Sequence, residues 1–164
     1  MTIGYQGALI DDFVNTLKFA KVNILIDIRD LPVSRKRGFS KKSLAELLKI
    51  AGINYIHLGN LGDPKPGRDA ARHGDIARFK RIFRHHLAQD ASQHALNEAV
   101  QIAAVNRAVL LCFESDHSHC HRSLVAEAMA KRGNFNVHHL DVIPGLSAEA
   151  NQNQNVVESA YAFG

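Results

Sequence analysis

An apolar run, Leu110-Leu111-Cys112-Phe113-Glu114, ends in a thiol and a carboxylate, and a polar stretch, Ser115-Asp116-His117-Ser118-His119, leads from it to Cys120-His121-Arg122-Ser123. If that last group opens a helix, the free amides of the first turn attract an anion and lower a thiol pKa, so Cys120 beside His121 is expected to be partly thiolate at neutral pH. Glu114 is then a candidate general acid or base, His121 an assisting or orienting group, and Arg122 and Ser123 candidate anion contacts. Cys112 also reads as a small apolar core residue, since cysteine is among the most buried types, and Cys120 as a helix-start residue without chemistry.

A second group is Asp27-Ile28-Arg29. Side chains alternate along an extended backbone, so the two charges share one side, where Asp27 can aim the guanidinium at an anion or simply close the strand as an ion pair. Asp27 is also a second candidate acid or base. Ser34 and Arg35, with Arg37, lie in a segment able to fold back over the same edge as anion contacts, or to stand as a solvated basic loop. Tyr5 and His57 follow or end other strands and are accessory candidates. His117, His119, Cys120 and His121, with Asp116, are metal-donor types, yet their spacing matches neither C-x-x-C nor H-E-x-x-H, and sequence neighbours seldom point at one ion. His85-His86 and His138-His139 show the same richness elsewhere, so no metal site is expected, and no cofactor is indicated.

These residues need a scaffold that gathers strand ends. Strand-like runs at Thr2-Tyr5, Ile24-Ile28, Tyr55-Leu58, Ala108-Phe113 and Val137-Leu140 alternate with helix-period segments, the pattern of a mostly parallel, about five-stranded sheet in a three-layer α/β/α fold. Helices are expected where Leu9, Phe13, Val14, Leu17 and Ala20 recur, from a Ser40 cap through Leu44, Leu47 and Leu48 to Gly52, over about 76–87 and 92–105 with a weakly marked junction near 89–91, and from about His121 to Gly133. In such a sheet ligands collect beyond the C-terminal strand ends, which is where all the candidates fall. Two connections, Arg29 to Phe39 and Gly59 to Gly74, are long for this architecture and read as functional loops. Residues 1–143 are expected to form one domain. After Val142 the pattern fades into a polar segment containing Asn151-Gln152-Asn153-Gln154-Asn155, so 144–164 reads as a tail with little order.

Composition narrows the function classes. Of the 164 residues 46% are hydrophobic and 22% charged, which excludes disordered and fibrous classes. The net charge of +4 suits an anionic partner, and its clusters, Arg35-Lys36-Arg37 with Lys41-Lys42, and Arg78, Lys80, Arg81 and Arg84, matter more than the total. The second cluster also reads as a solvated helix face. Two cysteines make no disulfide framework and no charged, apolar, small-residue leader opens the sequence, so reduced thiols and a cytoplasmic location are expected. The longest apolar runs fall far short of the roughly 20 residues a membrane helix needs. The partners left open are an anionic small molecule, a nucleic acid or a second copy of the chain.

The motifs resemble a known group, the domain of unknown function 488 family. The resemblance rests on Thr2-Ile3-Gly4-Tyr5, Leu25-Ile26-Asp27-Ile28-Arg29, Ser34-Arg35, Ala51 to Gly59 with Leu61-Gly62, and Leu111-Cys112, Glu114 and Cys120-His121-Arg122-Ser123, in that order. It implies a three-layer α/β fold with the Asp-x-Arg, Ser-Arg and Cys-His-Arg elements at one end of the sheet, and no agreed reaction. Members often carry His and Ser where this chain has Tyr5 and Gln6, so no base at position 5 carries over. A weaker similarity, to rhodanese-like domains, would make Cys112 or Cys120 a nucleophile. An anion-cradling loop of the C-x5-R kind is absent, however: Cys112 stands too far from Arg122, and Cys120 too near.

Three functions follow as expectations. The first is an enzyme or enzyme-derived site for a nucleotide, nucleic acid or other phosphate-bearing ligand, with Arg29, Arg35 and Arg122 on the anion. The second is rhodanese- or phosphatase-like thiol chemistry. The third is a non-catalytic nucleic-acid or protein-binding module, weakened by the lack of an aromatic platform beside the basic residues.

Overall fold

The computed structural model describes residues 1–148. All five expected strands form, each trimmed or shifted by a residue or two: β1 (Thr2–Gly4), β2 (Ile24–Asp27), β3 (Asn54–His57), β4 (Ala108–Cys112) and β5 (His139–Leu140). They build one sheet in the order β3-β2-β4-β1-β5, and every pairing is parallel. β2 and β4 lie at its centre and are buried throughout, which is why their sequences are apolar on both faces up to the polar end.

Alternation along the strands feeds two cores. Leu25, Val109, Leu111 and Ile3 face Phe13 and Leu17 of α1 (Ile10–Phe19) and Leu44 and Leu48 of α2 (Lys41–Ile50). Ile24, Ile26, Ala108 and Leu110 face the other way, toward α4 (Ile76–Leu87), α5 (Asp90–Val105) and α6 (His121–Gly133), through Phe79, Phe83, Leu96 and Val125. The result is the three-layer α/β/α fold. β2 therefore leads into a helix on one face and its neighbour β4 into a helix on the other. Where neighbouring strands send their chains to opposite faces, a crevice opens beyond their C-terminal ends.

The stretch from Gly59 to Gly74 differs from the expected open loop. It holds a 3-10 turn (Gly59–Leu61) and a helix, α3 (Lys65–Arg72). Pro66 and Gly67 read as breakers, but they occupy the first turn, where a missing amide breaks no intrahelical bond. α4 and α5 are separate helices, because Gln89 takes an extended conformation between them. Ser40 does sit at the N-cap of α2, yet its hydroxyl makes no cap bond and instead donates to the Ser34 carbonyl. Part of the expected tail is held: the amides of Gly145 and Ser147 donate to Asp12 in α1. Residues 149–164, and the expectation about them, lie outside the described residues.

Candidate functional site

β4 and α6 deliver the centre of the site. Cys112 is the last residue of β4 and Glu114 lies two positions on, so the strand's period of two puts both on one side. Cys120 is the N-cap of α6, where the Arg122 amide donates to its sulfur, and His121 follows. The four meet. The Cys112 and Cys120 thiols both donate to Oε2 of Glu114, at 2.9 and 3.1 Å. His121 Nε2 donates to the Ile28 carbonyl at 3.1 Å, which turns Nδ1 toward Cys112 Sγ (3.6 Å) and Cys120 Sγ (4.0 Å). Phe83 of α4 closes over the imidazole, 5.3 Å between ring centroids. Cys112, Cys120 and His121 are buried, and Glu114 is partly exposed.

Burial governs the electrostatics. It pushes the Cys112 thiol up, and the Cys120 thiol well up, with Cys112 adding to the shift at Cys120. The expectation of a Cys120 thiolate at neutral pH is thereby reversed: the helix mouth favours the anion, but a nearly inaccessible sulfur pays a larger desolvation penalty. Burial opposes charge on Glu114 too, yet the two thiol donors and His121 hold its pKa below the ordinary value. For His121 burial is again outweighed, by Cys120, Glu114 and the Ile28 carbonyl, and its pKa rises to about 9.

Arg122 holds the frame around this cluster. It is 1% exposed, and its guanidinium donates to the carbonyls of Glu114 and Ser115 and to Thr2 Oγ1. The contact with Glu114 explains a glycine: a Cβ on Gly4 would stand 1.7 Å from the Glu114 carbonyl oxygen. Ser123 donates to the His117 carbonyl and so pins the other end of the loop.

Asp27 and Arg29 form a separate knot one strand away. Arg29 donates Nε to Asp27 Oδ1 (2.8 Å), Nη2 to Oδ2 (2.5 Å), and Nη1 to the Tyr5 hydroxyl (3.0 Å) and the Phe39 carbonyl (2.8 Å). Tyr55 donates to Asp27 Oδ2 at 2.6 Å. Burial opposes the charge on Arg29, but Asp27 more than compensates and raises its pKa. Tyr55 is raised by burial and by the same carboxylate. Asp27 and Arg29 are both buried, and each has its donors or acceptors engaged within the protein. His57 donates Nε2 to the Arg29 carbonyl at 2.8 Å and faces Lys41 through Nδ1. Ser34 accepts from the Lys36 amide, and Arg35 is exposed.

Of the sequence candidates, then, Cys112, Glu114, Cys120 and His121 converge, with Arg122 and Ser123 framing them. Asp27, Arg29 and Tyr5 form a second unit, to which His57 is tied through the Arg29 backbone. Ser34 and Arg35 stay with the outer loop. His117 and His119 are exposed and outside the cluster: His119 pairs with Asp116 at 2.9 Å, and His117 stacks on His139 at 3.7 Å. One residue escaped the sequence reading. Asp63 is 6% exposed, and its Oδ1 has no hydrogen-bond partner. Burial raises its pKa to about 6 against the pull of His121 and Arg68, with the Glu114 charge adding to the rise. Gly67 leaves room for it, because a Cβ there would stand 2.0 Å from Oδ1. The available signal was the Gly62-Asp63-Pro64 turn next to the strand edge, hidden inside an apparent loop.

A cavity of about 280 Å³, lined by Lys80, His117, Cys120, Ser123, Glu127 and His139, reaches the cluster at Cys120. A larger one of about 680 Å³, with Thr16, Phe19, Arg107, Met129 and Phe135 among its lining, includes none of the candidate residues. No helix among the described residues is long and apolar enough to cross a membrane. Comparison with the curated proteins returns no match, and comparison with the solved structures returns none. Residues 9–129 match the family described as Domain of unknown function DUF488, a span that contains Asp27, Arg29 and the four converging residues from Cys112 to His121, so the chain belongs to the DUF488 family.

Proposed function

We propose that the C-terminal edge of the sheet is an active site for a small phosphate-bearing ligand, with Cys112, Glu114, Cys120 and His121 as its reacting centre. The carrying observation is the convergence of four chemically capable side chains, from two elements, beside a cavity that Cys120 lines. A packing role alone would not call for a carboxylate and an imidazole among buried thiols, because each must be desolvated. Arg29 and Arg122 shape this edge, since their donors are engaged within the protein. The cation that faces the cavity is Lys80, half-buried on α4 and in no ion pair among the described residues. It would meet the anionic group, with the imidazoles of His117 and His139 on the cavity wall. Thiol nucleophilicity is the weaker reading, because both sulfurs are buried and held protonated.

The test is titration of the full chain with inorganic phosphate and with nucleoside monophosphates at low salt, followed by the imidazole resonances of His117 and His139. Saturable shifts are expected, with affinity reduced about tenfold or more in Lys80→Ala through loss of a charge-assisted hydrogen bond. Resonances that stay unmoved by every one of these anions would remove the reading.

A further inference from the structure

We infer that Cys112, Glu114, Cys120 and His121 together bind one zinc-class divalent ion. The inference deepens the reading of this edge as a site, and it can fail separately from it.

The donor atoms already stand close enough together for one ion to reach them all. One atom from each residue lies within 4.8 Å of all the others. Around a tetrahedral ion with sulfur at about 2.3 Å and nitrogen or oxygen at about 2.0–2.1 Å, neighbouring donors are separated by about 3.5–3.8 Å. The sulfur-to-nitrogen separations here are 3.6 and 4.0 Å, and the sulfur-to-carboxylate ones 2.9 and 3.1 Å. Metal binding would lengthen the two thiol-to-carboxylate contacts and draw the remaining donors, all within 4.8 Å of one another, into that range. The two shorter contacts are thiol-to-carboxylate hydrogen bonds, the contacts such a donor set makes while its protons remain in place.

The surroundings are those of a ligand set. The Ile28 carbonyl fixes the ring of His121 by accepting from Nε2, which leaves Nδ1 as the coordinating nitrogen. The Arg122 amide donates to the Cys120 sulfur, an interaction that supports a thiolate once an ion is present. Arg122 also clamps the loop between the two ligand pairs through the Glu114 and Ser115 carbonyls, so the ion would close a frame that is already braced.

Asp63 supplies an independent observation. A nearly inaccessible carboxylate with an unpartnered oxygen is costly unless a positive charge lies near. Asp63 follows the 3-10 turn after β3, next to Gly62, which packs against the Asp30 backbone just past β2, so it lies at the same sheet edge as the cluster. Once the ion displaces the two thiol protons, the thiolates, Glu114 and Asp63 are the anions that its charge offsets.

Donor chemistry selects the metal. Two sulfurs and an imidazole favour zinc and its borderline neighbours over magnesium or calcium, which take oxygen shells. Glu114 is the hardest of the four donors and the partly exposed one. It is therefore the position at which water or a ligand oxygen would enter.

The experiment uses the full chain, stripped with chelator and reloaded with zinc or cobalt. One equivalent of zinc per chain is expected, with two sulfur neighbours at about 2.3 Å in the zinc absorption spectrum. Cobalt loading should give intense tetrahedral visible bands and thiolate-to-metal charge transfer. Cys112→Ser combined with Cys120→Ser should lose the charge-transfer bands, each single variant should weaken them, and Asp63→Asn should weaken binding by about 10–100-fold. An all-nitrogen-and-oxygen shell around wild-type zinc overturns the proposal without any variant having to fold. So does binding that survives Cys112→Ser with Cys120→Ser but vanishes in His117→Ala with His119→Ala. Zinc bound without phosphate binding removes only the proposed function, and phosphate bound by a chain that takes up no zinc removes only the metal site.

Discussion

Two buried polar units stand side by side at the ends of β2 and β4, and they solve the problem of desolvated charge in opposite ways. The Asp27–Arg29 unit is closed: both carboxylate oxygens are bonded to the guanidinium, and Tyr5, Tyr55 and the Phe39 carbonyl take up further bonding positions. The unit at Cys112, Glu114, Cys120 and His121 is open. Two thiols share one oxygen, an imidazole nitrogen faces sulfur at hydrogen-bonding range or beyond, and Asp63 contributes an oxygen with no partner. A saturated network offsets through its internal bonds the desolvation that burial costs, whereas an unsaturated one leaves part of that cost uncompensated. The difference separates architecture from site more sharply than residue type does, since both units lie at the same sheet edge.

Breaking the closed unit gives the largest expected effect. Asp27→Ala leaves the Arg29 guanidinium buried without its counter-charge, which should destabilise the protein by about 3–5 kcal/mol in urea unfolding. If Asp27→Ala unfolds at the wild-type midpoint, the closed unit is not architectural and its arginine is free to serve a ligand.

The open unit should respond with the opposite sign. A carboxyl whose folded-state pKa is raised above its unfolded value binds its proton more tightly in the native state. Asp63 moves from 3.8 to about 6, so its contribution is fully present below about pH 4 and is lost as pH rises to about 6. In metal-free protein, Asp63→Asn should therefore be more stable than wild type at pH 7, by about 1 kcal/mol after allowance for solvent screening. The gain should disappear near pH 4. Equal destabilisation at both pH values would instead make Asp63 a bonded structural residue.

Much of the scaffold was legible because its signals are local. The apolar runs at Ile24 and Ala108 and the helical spacing of Leu44 and Leu48 report burial directly, and the strand-end rule pointed to the edge where the polar residues gather. α3 was missed because Pro66 and Gly67 signal a break everywhere except in a first turn. At that edge, the residues that converge were each named from sequence, but their grouping was not. Arg29 and Arg122 looked like anion contacts since sequence carries no trace of the backbone carbonyls of Phe39, Glu114 and Ser115 that occupy them. The metal-donor reading fixed on residues 116–121, where neighbours diverge. The useful pairing was Cys112 with Glu114, two apart on a strand, joined across the loop to Cys120 and His121.

Asp12 tests the same contrast at its mildest, because this carboxylate is satisfied by neutral donors alone. The Ser147 hydroxyl and amide bond to Oδ1 at 2.7 and 2.9 Å, and the Gly145 amide to Oδ2 at 3.0 Å. These bonds hold its pKa below the ordinary 3.8, the Ser147 hydroxyl most of all, with burial opposing. A depressed carboxyl contributes fully above its unfolded pKa and loses that contribution as pH falls through the folded value. The attachment of residues 145–147 to α1 should accordingly hold at neutral pH and release below pH 4. The protection of the Gly145 and Ser147 amides, taken relative to the intrinsic rate at each pH, should be lost there while the amides of β2 and β4 remain protected, and Asp12→Asn should lose the same protection already at pH 7. Exchange at Gly145 that follows β4 across the whole range would mean that the segment is held by something other than this carboxylate.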